Sequence, residues 1–211
     1  MTDITIRNVN ILDGTGAPEF MADVEIENGR IKSIGTAGPA TTEIDGQGKY
    51  LAPGFIDTHG HDDGAFRRHP EMEFKLAQGV STVVSGNCGF SAIPLDPSKD
   101  TLAASGGILA GIEGDFNDLE GYFAAALERS PALNNMMLVG HNTIRTLVMG
   151  SERRRPTPDE LAQMRAHVDK AMAQGACGFS TGLIYRPGRW SETEEVIELA
   201  SAAKNYDALY T

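Results

Sequence analysis

The hydrophobic pattern of residues 1–50 predicts a small β unit. Apolar and polar positions alternate at residues 24–27 and again at residues 30–34, with Asn28 and Gly29 between the two runs. Alternation is typical of strands that bury one face, and Asn-Gly between two such runs predicts a hairpin closed by a type I′ turn. These strands carry no cluster of titratable residues, so we interpret residues 1–50 as scaffold.

After residue 50 the pattern changes to strands that alternate with helices. Apolar and β-branched runs predict strands at residues 50–56, 80–85, 136–139, 176–181 and 208–211. Helical periodicity predicts helices at residues 70–78, 118–129, 157–174 and 191–204. Capping boxes at Thr157 and Ser191 are predicted to open the last two helices. Strands that alternate with helices indicate βαβ units and a parallel sheet.

For residues 51–211 this alternation predicts an α/β fold, a (β/α)8 TIM-type barrel. Functional groups at the carboxyl ends of parallel strands are typical of that barrel, although an open doubly wound sheet would also place ligands there. No Gly-x-Gly-x-x-Gly follows a strand, which disfavours a dinucleotide-binding fold. Only about five barrel strands fit in this chain, and a closed barrel needs about 250 residues. We therefore expect the chain to be the N-terminal portion of a larger protein.

The first barrel strand, residues 50–56, is predicted to be buried and to lead into two histidines. Successive strand side chains point to opposite faces, so His59 and His61 would share a face, with Gly60 turned away between them. Two imidazoles in this arrangement can hold a single metal ion. The alternative is a polar strand end with two unrelated histidines. A His-x-His that closes an apolar strand favours the metal site.

Cys88 follows the second barrel strand, between glycines that allow a tight loop. It is either a small buried thiol or a thiolate ligand, and the histidine pair on the neighbouring strand favours the ligand. Cys177, in mid-strand among apolar neighbours, is predicted to be an inert core residue. Asp62 and Asp63 could fix the tautomers of the histidines, although a solvated acidic loop is nearly as good an interpretation.

Two further strand ends carry candidate substrate-binding residues. His141 follows the third strand and would line the site, orienting substrate or a metal-bound water, or else be a core histidine. Tyr185 lies in a distinctive loop after the fourth strand, where its hydroxyl and the nearby Arg186 and Arg189 suit a carboxylate. The alternative there is a Pro-Gly turn with solvated arginines.

Composition narrows the possible partners. With 18 Lys and Arg against 29 Asp and Glu, the formal net charge is −11, which disfavours nucleic acid and anionic membrane surfaces as partners. No window approaches the ~20 apolar residues of a membrane span, and no signal pattern opens the sequence. The 2 cysteines do not suggest a disulfide framework. We therefore expect a cytoplasmic protein that binds neither nucleic acid nor membrane.

Four motifs together resemble a known family. The first resembles the first barrel strand of the amidohydrolase superfamily, and the other three are similar to the N-acyl-D-amino-acid deacylases, or D-aminoacylases. They are Pro53-Gly54-Phe55-Ile56-Asp57-x-His59-x-His61, Gly86-Asn87-Cys88-Gly89, Val139-Gly140-His141-x-Thr143-x-Arg145 and Ser180-Thr181-Gly182-Leu183-x-Tyr185-x-Pro187-Gly188. The resemblance covers essentially all 211 residues.

The resemblance implies a (β/α)8 barrel paired with a small β-sandwich domain, and one or two Zn²⁺ ions at the barrel mouth. His59 and His61 would contact the more weakly held metal position. Cys88 would bridge to the tighter one, in place of the carboxylated lysine of related enzymes. Tyr185 would help to bind the substrate carboxylate. Two further histidine ligands and the catalytic aspartate would lie beyond Thr211, so no catalytic residue is predicted within this chain.

The predicted function is zinc-dependent hydrolysis of the amide bond of N-acyl-D-amino acids, with this chain alone inactive. One alternative is a cyclic-amide hydrolase of the same superfamily, similar to a hydantoinase or a dihydroorotase. The other is a truncated, non-catalytic chain. The expected partners are a small-molecule N-acyl-D-amino acid and, for a split enzyme, a second polypeptide that completes the barrel.

Overall fold

The computed structural model describes residues 2–96, 109, 112 and 116–211. The chain divides into two compact units, Met1–Gly54 and Phe55–Thr211. In the part of the chain that the structure describes, every helix is too short or too polar to cross a bilayer.

The first unit is built on one mixed sheet. Its strands are β1 (Ile4–Ile11), β2 (Phe20–Glu27), β3 (Arg30–Gly35), β4 (Thr42–Asp45) and β5 (Tyr50–Leu51). Their order is β3-β2-β1-β4, with β5 also paired to β1. The first three strands are antiparallel, whereas β4 and β5 run parallel to β1. The described residues contribute a single sheet to this unit, so the β-sandwich stays a prediction.

The predicted hairpin is confirmed between β2 and β3. Asn28 and Gly29 join the two strands and have φ values of +52° and +70°. A type I′ turn requires positive φ at both central residues, which asparagine and glycine tolerate best. One face of the sheet buries a small apolar cluster formed by Val9, Ile11 and Val24.

The second unit contains a five-stranded parallel sheet that forms a half-barrel. Its strands are β6 (Phe55–Asp57), β7 (Val80–Ser85), β8 (Asn134–Gly140), β9 (Gly178–Ser180) and β10 (Leu209–Tyr210). Each strand pairs in parallel with the strand that follows it in sequence. This order, in which each crossover returns beside the previous strand, brings all five carboxyl ends to one edge.

The predicted first barrel strand differs from the observed one. Residues 50–56 do not form one buried strand, because Ala52, Pro53 and Gly54 separate β5 from β6 and the two strands belong to different sheets. Phe55 and Ile56 are 62% and 59% exposed. Pro53 interrupts the run because it has no N–H to donate to a strand neighbour.

Six α-helices occur in the described residues of the second unit. They are α1 (Ala65–Arg68), α2 (Glu73–Leu76), α3 (Leu119–Leu127), α4 (His141–Met149), α5 (Pro158–Ala173) and α6 (Thr193–Lys204). The helix predicted at residues 70–78 is observed only as the short α2, and α1 before it was not predicted. Helix α4 was not predicted, because its sequence lies in what was interpreted as a loop after the third strand.

The capping predictions had different outcomes. The Thr157 hydroxyl accepts from the N–H of Glu160 at 3.2 Å, and the Glu160 carboxylate accepts from the N–H of Thr157 at 2.7 Å, so the capping box of α5 is confirmed. The capping box predicted at Ser191 is wrong, because Glu192 occupies the N-cap of α6 and makes no side-chain capping hydrogen bond.

The main core lies between the sheet and helices α3–α6. One face of α5 packs against it, with Met164, Val168 and Met172 all buried. From the sheet, Met137, Val139 and Phe179 are also among its buried members. This packing fixes β8 and β9 beneath their carboxyl-end loops.

Candidate metal and substrate site

The loops after β6 and β7 bring His59, His61 and Cys88 together. One ligand atom from each residue lies within 4.8 Å of the other two. The Cys88 sulfur lies 3.3 Å from Nε2 of His59, and the two imidazole rings are 5.8 Å apart at 80°. Two ligands of one tetrahedral zinc ion lie about 3.5 Å apart, so these atoms are spaced as ligands of a common ion would be.

The histidines reach this position from a loop and not from a strand. β6 ends at Asp57, and both histidines lie beyond that end. Burial, and then the neighbouring His59, lower the pKa of His61, which favours the neutral imidazole that binds metals. Two imidazoles and a thiolate are a donor set typical of zinc. The cluster therefore fits the predicted metal.

The loop that carries Cys88 is clamped from β9. Cys88 itself has a φ of +56°, a left-handed conformation that non-glycine residues seldom adopt. The Ser180 hydroxyl donates to the carbonyl of Gly86 at 2.5 Å and accepts from the N–H of Gly89 at 3.0 Å, on either side of Cys88. A Cβ at Gly86 would lie 2.0 Å from the carbonyl oxygen of Leu138, so this loop can cross β8 only with glycine.

Asp63 joins the histidine loop to the cysteine loop. Its carboxylate accepts from the N–H groups of Gly86 at 3.3 Å and Ala92 at 2.9 Å. Burial raises the pKa of Asp63 to about 6, against the opposing effect of these two hydrogen bonds. The predicted role of Asp63, fixing a histidine tautomer, is not what the structure shows, because both oxygens are directed at main-chain groups.

Lys75 on α2 adds a contact that the sequence did not predict. Its ammonium group pairs with Asp57 at 2.5 Å and with Asp62 at 3.0 Å. The other oxygen of Asp57 accepts from the N–H of His59 at 3.2 Å. The hydrogen bond from Lys75, followed by that from His59, lowers the pKa of Asp57. The start of the histidine loop is thus held by a carboxylate that stays charged.

His141 is placed differently from its predicted role. It is the first residue of α4, is fully buried, and its Nε2 lies 2.8 Å from the Glu195 carboxylate. The other oxygen of Glu195 accepts from Arg145 at 2.5 Å. Although burial acts in the opposite direction, these two hydrogen bonds lower the pKa of Glu195. His141 therefore does not line an open surface; it holds α4 against α6.

Tyr185 lies in the loop after β9. It is 41% exposed, and its ring packs edge-on against Phe90 at 5.6 Å. The same loop touches the main chain of Cys88, because a Cβ at Gly182 would lie 2.0 Å from the Cys88 carbonyl oxygen. The guanidinium of Arg186 lies 5.7 Å from the ring centre of Trp190. Tyr185 thus remains the better candidate for binding a substrate.

The remaining histidines and the second cysteine lie apart from the cluster. His69 is exposed at the end of α1, and His167 is half-buried on α5. Cys177 is half-buried just before β9, and burial raises the pKa of its thiol. The prediction that Cys177 is a core residue in mid-strand therefore holds only in part.

The fold and this cluster define a class of protein. Residues 42–206 match the model of the amidohydrolase family, and the chain belongs to that family.

Several proteins of known activity are similar to this chain over almost all of its length. The chain is 41% identical over 211 residues to an N-acyl-D-glutamate deacylase of Alcaligenes xylosoxydans xylosoxydans, covering 99% of this chain and 43% of the relative. It is 37% identical over 214 residues to a D-aminoacylase of the same organism, covering 99% and 43%. Among solved structures it is similar to the N-acyl-D-glutamate deacylase of Bordetella bronchiseptica, with a TM-score of 0.89, 41% identity and coverage of 99% and 44%.

That crystal structure contains zinc and a phosphonate inhibitor that mimics the tetrahedral intermediate of the reaction. The chain thus spans less than half the length of these relatives, 43% to 44% of each.

Proposed function

We propose that this chain is the N-terminal part of a zinc-dependent hydrolase that cleaves the amide bond of N-acyl-D-amino acids. The observation that carries the proposal is the convergence of His59, His61 and Cys88, with their ligand atoms within 4.8 Å of one another. The half-barrel order of the strands and the similarity to D-amino-acid deacylases support it. A complete (β/α)8 barrel, with its remaining strands outside this sequence, is part of the proposal.

Zinc bound here would polarise the amide carbonyl and lower the pKa of water towards ~7. Within this chain, His59, His61 and Cys88 are the proposed ligands of one or two ions. Ser180 and Asp63 hold the loop that presents the sulfur. Tyr185 is the proposed donor to the substrate carboxylate. The general acid and base is proposed to be an aspartate beyond Thr211, so these 211 residues alone are expected to be inactive.

Substrate choice tests this proposal. The protein encoded by the whole reading frame is purified with zinc and offered N-acetyl-D-amino acids, the corresponding L-forms and hydantoin. We expect release of acetate from D-forms, with the L-forms at least ~100-fold slower, because a site that must pair buried polar groups rejects a substrate that leaves them unpaired. Chelation should abolish the activity and added zinc should restore it.

Two results would contradict the proposal in different ways. Turnover of hydantoin alone would replace the deacylase with a cyclic-amide hydrolase. No turnover of any of these amides, with zinc bound and the reading frame complete, would favour a non-catalytic protein. If activity required addition of a second polypeptide, the chain would be half of a split enzyme.

A further inference from the structure

Asn142 connects the candidate metal loop to the candidate substrate loop. It is the second residue of α4, and its side chain is fully buried. Its Nδ2 donates to the carbonyl of Cys88 at 3.2 Å and to the carbonyl of Gly182 at 3.3 Å. Its Oδ1 accepts from the N–H of Gly188 at 2.7 Å. One amide group therefore touches the main chain of Cys88 and both ends of the loop that carries Tyr185.

Two glycines make the space for this amide. A Cβ at Gly89 would lie 2.5 Å from Nδ2 of Asn142, and a Cβ at Gly188 would lie 2.3 Å from its Oδ1. Gly89 also has a φ of +77°, so its backbone conformation favours glycine independently. The loops on both sides are thus shaped to receive a planar side chain at this point.

The chemistry of the three contacts specifies asparagine. Two partners are carbonyl oxygens, which need a donor, and the third is an N–H, which needs an acceptor. Aspartate would have the same shape but would direct an oxygen at the two carbonyls. Leucine would leave all three buried main-chain groups without this partner, and each unsatisfied group is costly.

We propose that Asn142 is a positioning residue that sets the distance between the Cys88 sulfur and the Tyr185 hydroxyl. A substrate held by Tyr185 is thereby presented to the metal at a fixed separation. This inference rests on the proposed deacylase function for its kinetic consequences, but the linkage between the two loops can be measured without substrate. Ser180 and Asp63 hold the main chain of the Cys88 loop independently of Asn142, so we expect Asn142 to act on spacing and not on metal retention.

A double-mutant cycle tests the kinetic consequence in the whole protein. Asn142→Asp should retain zinc and lower kcat/KM by about 30- to 100-fold, since a misplacement of about 1 Å can cost that much. In a Tyr185→Phe background, Asn142→Asp should lower kcat/KM only about 3-fold. The reason is that Asn142 acts through Tyr185, so removing the Tyr185 hydroxyl also removes most of the effect of Asn142. Asn134→Asp, at the opposite end of β8, is the matched control and should leave kcat/KM unchanged. Equal effects of Asn142→Asp in both backgrounds would overturn the proposal.

A spectroscopic measurement tests the linkage between the two loops, with Trp190 as the reporter at the end of the loop that carries Tyr185. Trp190 lies in the turn that begins at Gly188, and its 5-fluorotryptophan resonance is identified as the signal that Trp190→Phe removes. Co²⁺ in place of zinc should broaden this resonance, and Asn142→Asp should reduce the broadening at least twofold while Asn134→Asp does not. Unchanged broadening in Asn142→Asp would refute the linkage.

The two proposals fail in distinguishable ways. The protein could be inactive on every N-acyl-D-amino acid while the broadening still depends on Asn142. That result would refute the deacylase function and support the linkage. No broadening by Co²⁺ in the wild-type protein, with one Co²⁺ bound per chain, would overturn the linkage, whereas the turnover assay alone decides the deacylase function. Should Asn142→Asp not fold, Asn142→Ala supplies a second perturbation, because it removes all three contacts of the Asn142 amide without adding a charge. It should give the same loss of broadening with zinc retained, and normal broadening would count against the proposal.

Discussion

The carboxylate of Asp63 accepts a hydrogen bond from the N–H of Gly86 at 3.3 Å and so fastens the histidine loop to the cysteine loop. Both residues are structural neighbours of the candidate ligands, and neither contributes a ligand atom to the cluster. The relative position of the imidazoles and the sulfur therefore depends on a contact beneath them. This dependence can be tested, together with the ligands and two stabilising ion pairs.

Cys88→Ser should lower zinc affinity by at least about 100-fold, because a hydroxyl is a much poorer zinc ligand than a thiolate. Zinc content after dialysis against a graded chelator series measures the effect. Cys177→Ser is the matched control, since this second cysteine lies outside the cluster, and it should bind zinc as the wild type does. Equal zinc retention by both variants would remove Cys88 from the ligand set.

Asp63→Asn should weaken zinc binding by about 10- to 100-fold, the usual effect of altering a group that supports metal ligands. The amide can accept from only one of the two N–H groups that the carboxylate now serves. Asp159→Asn, on the exposed first turn of α5, removes the same charge elsewhere and should have no effect on zinc binding. Zinc titration with a competing chromophoric chelator makes the comparison, and wild-type affinity in Asp63→Asn would contradict the supporting role.

Asp118, the N-cap of α3, should give the protein a defined acid dependence. Hydrogen bonds from Lys170, then Gln174 and the N–H of Gly121, lower its pKa from 3.8 to about 2. A group with a depressed folded-state pKa contributes stability above its unfolded pKa and loses it as the pH falls through the folded value. The wild type should therefore exceed Asp118→Asn by about 1–2 kcal/mol above pH ~5, and the difference should disappear near pH ~2.

Urea unfolding of both proteins between those pH values measures this difference. Asparagine is itself a good N-cap, so the substitution removes mainly the contact with Lys170. Glu120→Gln is the control, because it removes an exposed carboxylate from the first turn of the same helix. A stability gap between wild type and Asp118→Asn that is constant down to pH ~2 would show that the ion pair is not the cause.

Arg145→Met should lower the free energy of unfolding by about 3–5 kcal/mol, the range observed when one partner of a buried ion pair is removed. Arg145 is fully buried. The Glu195 carboxylate pairs with both Arg145 and His141, and the substitution would remove the first of these two partners. Arg189→Met, on the exposed turn before α6, should change stability by less than about 0.5 kcal/mol. Chemical unfolding of the two variants measures their free energies of unfolding. A similar loss of stability in both would contradict the structural role of the Arg145–Glu195 ion pair.

The position of the candidate metal site could be predicted from the sequence for a topological reason. His59 and Cys88 follow consecutive parallel strands, and the carboxyl ends of such strands meet at one edge of a sheet. The same reasoning assigned the loop of Tyr185 to that edge. It erred for His141, because a strand end can lead directly into a buried helix, and the short α4 has no periodic pattern long enough to reveal it.

Asn142 and Glu195 could not be found from sequence. Each lies within a helix, and the partners of both are at least 40 positions away in sequence. Such contacts are set by how helices pack on the sheet, which no local pattern records. The break at Pro53 could have been predicted, since proline is rarely found inside a strand. The apolar residues on both sides of Pro53 instead favoured one continuous strand at residues 50–56.

The adjacency of β6 and β7, both along the chain and in the sheet, has a consequence for assembly. His59 and Cys88 are only 29 residues apart in sequence, so their approach closes a short loop at small entropic cost. An ion captured there would hold the ends of β6 and β7 together locally. The stabilisation by bound zinc would grow with the logarithm of the free zinc concentration above the dissociation constant. The melting temperature would therefore report how much free zinc is available to the protein.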